Sequence, residues 1–94
     1  MVHWNRIICP HPSIASRLIG EQALILDPRT DALQRLNQVG SYVWSRISDR
    51  DSTPDSIVEG LVDEFDVDGS IARQDLSVFL EKLESRGLIA YKTD

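Results

Sequence analysis

The chain divides into a strand-forming first part and a helix-forming remainder, which predicts an α+β domain. It reads as a three-stranded antiparallel sheet followed by three helices and a short C-terminal strand. Three observations carry that prediction. Up to Leu36, apolar residues alternate or run together in blocks of strand length. From Asn37 onward they recur at helical spacing. Clusters of Gly, Pro, Asp, Ser and Thr separate the blocks on both sides of that change.

The totals bound the class. With 94 residues, 41% apolar and 27% charged, the chain has the make-up of one soluble domain with a single core rather than a disordered segment. A net charge of −5 works against binding a phosphate backbone, which depends on clustered Lys and Arg to displace counterions. Nucleic acid is therefore not an expected partner. Cys9 is the sole cysteine, which excludes an internal disulfide and fits a reducing compartment. The longest apolar runs, such as Ala23 to Leu26, fall far short of the roughly 20 residues that span a bilayer. The N-terminus lacks the charged, then apolar, then small-residue pattern of a signal peptide. A cytoplasmic protein without membrane contact is expected.

Met1 to Ser13 carries Trp4, Cys9, Pro10, His11 and Pro12, a composition that suits an extended lead-in better than a helix. The expected division is an N-terminal arm over 1–13, a domain over 14–91 and a tail over 92–94. Cys9, His11 and His3 are too few for a zinc site built on spaced ligands, so no metal or cofactor is expected. From Ile14 to Ile19, Ile14 and Leu18 share one face and Arg17 takes the other, as in a half-exposed strand. Gly20 and Glu21 turn the chain. The continuous run Ala23 to Leu26 is the most buried strand, and Asp27 to Asp31 bring the chain back antiparallel. Ala32 to Leu36 completes the meander as a strand on the sheet edge.

Asn37 is placed to cap the first helix, and Val39, Tyr42, Val43 and Ile47 form the face that covers the sheet. Thr53, Pro54, Asp55 and Ser56 read as cap, first-turn proline and acidic first turn of the second helix. Its stripe is Ile57, Val58, Leu61, Val62 and Phe65. Gly60 lies inside that helix at a cost of about 1 kcal/mol relative to alanine, which points to close helix packing. Asp66 to Gly69 lacks the alternating ligands and closing glutamate of a calcium loop and reads as a capping turn, with Asp68 or Ser70 as the cap. The third helix runs from about Ser70 to Arg86 and stops at Gly87. Ala72, Leu76, Phe79, Leu80 and Leu83 are its core stripe, with Ile71 and Val78 left outside.

A sheet followed by three helices, the last two in helix-turn-helix order, with Leu88 to Tyr91 as a final strand, is winged-helix-like. A winged-helix DNA-binding regulator is accordingly the alternative function. Its third helix sets Arg73, Lys82 and Arg86 against Asp75, Glu81 and Glu84 and is neutral, whereas helices that read a DNA groove are normally basic. Catalysis is not expected either. His3 and His11 sit in the arm, and no nucleophile shows the spacing of a paired base.

The run Ala23-Leu24-Ile25-Leu26-Asp27, the junction Arg35-Leu36-Asn37-Gln38-Val39-Gly40, and Val43-Trp44 resemble the PqqD-like proteins, also called RiPP precursor recognition elements. Asp75-Leu76, Phe79-Leu80, Leu83 and Gly87-Leu88-Ile89 extend the likeness, which covers about Pro12 to Ile89. The resemblance implies a non-catalytic protein that binds the leader of a ribosomally made precursor peptide as an added strand and presents the rest to a modifying enzyme. That enzyme would be a radical SAM enzyme, a leader peptidase or a cyclase. The implied strand wall is Leu33, Gln34, Arg35 and Leu36, and the implied helix wall is Asp75, Leu76, Phe79, Lys82 and Leu83. Alternation puts Leu33 and Arg35 on one face and Gln34 and Leu36 on the other, so the backbone of Leu33 to Arg35 is the favoured contact, with Phe79 as an apolar floor. Leu76, Phe79 and Leu83 equally fit plain core packing, and Asp75 and Lys82 equally fit a solvated helix face. Relatives often carry an aromatic residue near Gln34, so its place here implies a pocket of different shape or a different peptide. An open edge strand and a tryptophan-bearing arm are also two routes to a homodimer.

Overall fold

The computed structural model describes residues 1–93. Its element order is β1 (Ile8–Pro10), β2 (Ala15–Ile19), β3 (Gln22–Asp27), β4 (Ala32–Arg35), α1 (Gln38–Asp49), α2 (Pro54–Phe65), α3 (Gly69–Ser85) and β5 (Ile89–Tyr91). Of the expected tail, Lys92 and Thr93 follow β5, and Asp94 lies outside the described residues.

The meander forms as the turn chemistry predicts, an antiparallel sheet in the order β2-β3-β4. Gly20 takes the left-handed conformation at φ 62° in the β2–β3 turn, which a side chain would resist. β3 is the buried strand: Ala23, Ile25 and Asp27 face inward, with Leu24 and Leu26 on the outer face. β2 differs from its expectation. All five of its residues are exposed, because α1 lies over β3 and over the ribbon described next rather than over the far strand.

β5 pairs with β1 instead of joining the meander, as a separate antiparallel ribbon in register Ile8 to Tyr91. The lead-in is thus laced to the domain through Ile8 N–H to the Ser52 carbonyl at 2.9 Å and Lys92 N–H to the Ile7 carbonyl at 2.8 Å. Trp4 packs within the same chain. The Arg73 guanidinium stacks over its ring at 3.7 Å and bonds Asp55 at 2.9 Å.

Each helix starts on the cap expected of it. Asn37 accepts from Gly40 N–H at 2.8 Å. Thr53 and Ser56 form a reciprocal capping box ahead of Pro54. Asp68, rather than Ser70, caps α3 through the Ser70 and Ile71 amides, and these bonds hold its carboxyl below the usual aspartate range. A Cβ on Gly60 would run into the Tyr42 hydroxyl and the Arg46 guanidinium, so glycine leaves room on α2 for the ends of these two α1 side chains. The core between helices and sheet is filled by Ile25, Val43, Ile57, Leu76, Leu80 and Leu83, with Ile8 from the ribbon. Val39 does not cover the sheet. It is 44% exposed on the first turn of α1, beside a cavity that the neighbouring helices leave open.

Candidate functional site

β4 pairs with β3 on one side and is the other edge of the sheet. The Leu36 amide donates to the Ala23 carbonyl at 2.9 Å, which sets the phase of the ladder. In an antiparallel pair alternate residues turn their backbone groups to the neighbour, so those of Leu33 and Arg35 point out to the free edge. Their side chains lie on the outer face with Leu24 and Leu26, and Leu33 is 67% exposed there. Gln34 points to the inner face and is half-buried, whereas Leu36 is core.

The far end of β4 is fixed by Ser41. This buried hydroxyl accepts from Ala23 N–H at 2.7 Å and donates to the Leu36 carbonyl at 3.3 Å, filling the place where the ladder would add one more bond. The strand therefore passes into α1 with its polar groups satisfied, which is why no loop intervenes.

α3 supplies a second wall. Asp75, Phe79, Lys82 and Arg86 follow one another at four, three and four residues and share one stripe of the helix. Two contacts orient this stripe: the Phe79 ring lies against the first turn of α1, 3.5 Å from where a Cβ on Gly40 would be, and Arg86 Nη1 donates to Gln34 Oε1 of β4 at 2.9 Å. The adjacent stripe, Ala72, Leu76, Leu80 and Leu83, is buried in the core.

Two cavities flank this stripe, one among the three helices and one between the sheet and the end of α3. The larger, about 330 Å³, opens at the start of α1 among Asn37, Val39, Gly40, Phe65, Ile71, Asp75, Leu76 and Phe79. The smaller, about 260 Å³, lies among Ile25, Asp27, Thr30, Ala32, Gln34, Arg86 and Leu88. The backbone amide and the guanidinium of Arg29 tie down one side of that second cavity. Arg29 donates through its amide and Nε to Asp27 Oδ1 and through Nη2 to Asp27 Oδ2, and the same Nη2 reaches the Gly87 carbonyl at 3.0 Å. The side-chain bond from Arg29 holds the Asp27 carboxyl below the usual aspartate range despite its burial. Gly87 at φ 69° ends α3 in a Schellman turn, with Leu88 N–H on the Leu83 carbonyl and Gly87 N–H on that of Glu84. The sheet turn and the helix end are thereby tied together.

Asp75 and Phe79 line the first cavity and Gln34 lines the second, the backbone groups of Leu33 and Arg35 point to the free edge, and Lys82 lies on the same stripe of α3 as Asp75 and Phe79. Leu36, Leu76 and Leu83 are nearly or wholly buried. Sequence reasoning passed over Arg86, Ala32, Val39 and Ile71. Ile71 and Val39 stood out as apolar residues, but Arg86 read only as the end of a helix. The histidines are engaged elsewhere: His11 Nδ1 accepts from Ser13 N–H at 3.0 Å, and His3 meets Tyr91 edge to face. Among the described residues no three of His, Cys, Asp and Glu come together as metal ligands.

Comparison with curated proteins gives no significant match. Two solved structures share the fold. One, described as TbiB1 in complex with the TbiA(beta) leader peptide, is 27% identical, covers 92% of this chain and 99% of its own, and superposes with a TM-score of 0.83. The other, lasso peptide synthetase B1 complexed with the leader peptide, is 22% identical over 88% of this chain and 96% of its own, with a TM-score of 0.77. The profile of coenzyme PQQ synthesis protein D (PqqD) matches residues 22–89, which run from the first residue of β3 to the first residue of β5 and include β4 and α3. The chain belongs to the PqqD family.

Proposed function

We propose that this protein binds the leader of a ribosomally synthesised precursor peptide by strand addition and presents the remainder to a modifying enzyme. The observation that carries the reading is the free edge of β4, to which the Leu33 and Arg35 backbone groups point, with Arg86 at the end of α3 bonded to Gln34 beside it. Main-chain bonds to that edge supply affinity for any extended peptide, and the cavities beside it select side chains. The two similar structures, each named as a leader-peptide complex, support the same reading.

On this view residues 14–91 are the recognition unit, and the lead-in is a brace held by the β1–β5 ribbon. The protein is a binding partner and not a catalyst. Its client enzyme is of the radical SAM, leader peptidase or cyclase type, and it works in the cytoplasm. A homodimer through β4 would occlude the same edge, so peptide should shift such a dimer toward monomer in sedimentation. Against DNA binding, the exposed stripe of α3 carries an acid, Asp75, and an aromatic ring, Phe79, beside its two cations.

Titration of the nitrogen-15-labelled protein with leader segments of short reading frames encoded beside it tests the reading. Saturable shifts are expected at Ala32 to Leu36 and along Asp75 to Arg86. Absence of saturable shifts with every such peptide, together with binding to a DNA duplex at physiological salt, would overturn it.

A further inference from the structure

The exposed stripe of α3 is electrically polarised along its length. Asp75 lines the cavity at the α1 end, whereas Lys82 and Arg86 occupy the stripe toward the β3–β4 turn. Glu81 and Glu84 lie on other faces of α3 by helical spacing, and Glu84 bonds the Met1 amine. Asp27 lines the second cavity beside Arg86, but Arg29 already bonds both of its carboxylate oxygens. Among the described residues, neither Lys82 nor Arg86 has a carboxylate within ion-pair distance, and the Arg86 guanidinium bonds a single neutral acceptor, Gln34 Oε1. The one polar bridge from α3 to β4 among the described residues thus places an uncompensated cation over the inner face of the open strand.

Given the peptide-binding reading above, on which this step rests, we infer that Arg86 anchors an acidic side chain of the leader at the ladder position facing Gln34. Directly opposed residues of an added strand stand about 5 Å apart at Cβ. A peptide Asp or Glu facing Gln34 on the inner side therefore comes within reach of the guanidinium that Gln34 now holds. A guanidinium presents five donors in a fixed fork and takes a carboxylate through two parallel bonds, whereas the Gln34 amide offers one acceptor. The acid displaces a neutral partner with a charged one, and no carboxylate of the protein is left unpaired by the exchange. Lys82, one turn earlier on the stripe, adds positive potential at the same end, and Asp75 disfavours the acid at the opposite end. The polarity so fixes the register of the leader, a choice that main-chain bonds alone leave open.

Selection of a random peptide library displayed on phage, against the immobilised full-length chain, tests this inference, with Arg86→Glu and Arg86→Gln run in parallel. The wild type should enrich peptides with Asp or Glu at one fixed position, and Arg86→Glu should enrich Lys or Arg at that position. A synthetic copy of the wild-type consensus should bind Arg86→Gln about tenfold or more weakly, and its Lys counterpart should recover affinity on Arg86→Glu. Matching urea midpoints for the variants would establish that they fold. Enrichment of an apolar pattern with no acidic position, or one unchanged by Arg86→Glu, overturns the inference and leaves the peptide reading standing. Failure of the wild type to enrich any sequence overturns the reading beneath it.

Discussion

The two edges of the β2–β3–β4 sheet offer the same backbone chemistry and differ in what stands beside them. β2 has every residue exposed, with Leu18 at 63% and Ile19 at 56%. β4 is as short and nearly as exposed on its outer face, yet the end of α3 reaches it, with Arg86 bonded to Gln34 and a cavity lined by Ala32, Gln34 and Arg86 beside it. An open edge gives an extended peptide hydrogen bonds without choosing among peptides. A second wall adds side-chain contacts, and with them selectivity. The comparison teaches that the site belongs to the pair β4 and α3, not to the strand alone.

The strongest way to break the comparison is to remove the wall. Leu80 is fully buried on the core side of α3, and Leu80→Ala should cost about 2–5 kcal/mol in urea unfolding, with peptide affinity falling as α3 loses its seat. Leu18→Ala on the unwalled edge should stay within about 0.5 kcal/mol. A sharper contrast spares the fold. The Leu33 amide points to the free edge, so Leu33→Pro removes a donor offered to the ligand, and fluorescence anisotropy should show leader binding weakened about 10- to 100-fold. Ser16→Pro does the same to the outward edge of β2 and should leave affinity within about twofold.

Ser41→Ala tests the fixed end of β4. It strips the buried partner of the Ala23 amide and should cost about 1–3 kcal/mol, read by denaturant midpoint. The smallest effect expected is on acid stability. Asp27 is bound by Arg29 and its folded-state pKa is lowered, so its contribution is present above the unfolded aspartate value of about 4 and is lost as pH falls through the lower folded value. Unfolding midpoints followed downward from about pH 5 should therefore drop less steeply in Arg29→Gln than in the wild type. An identical slope would show that the tie between the sheet turn and Gly87 carries no charge coupling.

By itself the sequence determined the elements and their order from β2 onward, while β1 lies in residues that read only as an extended arm. Short-range physics decides those: Asn37, Thr53 and Asp68 satisfy free amides at helix starts, Gly87 accepts a left-handed turn, and the apolar spacing changes from strand to helix at Leu36 and Asn37. The backbone of β4 and the ring of Phe79 were legible in the same way, through alternation and helical stripe. What only the tertiary structure decided depends on contacts between segments far apart in the chain. The pairing of β1 with β5, the bareness of β2 and the outward turn of Val39 follow from where α1 comes to rest. Arg86 had no signal in its own neighbourhood, because its partner Gln34 lies 52 residues away. Local propensity fixes what each segment becomes. Which side chains come together is set by the packing of a single core, in which α3 is placed by Leu76, Leu80 and Leu83 rather than by the residues it presents to β4.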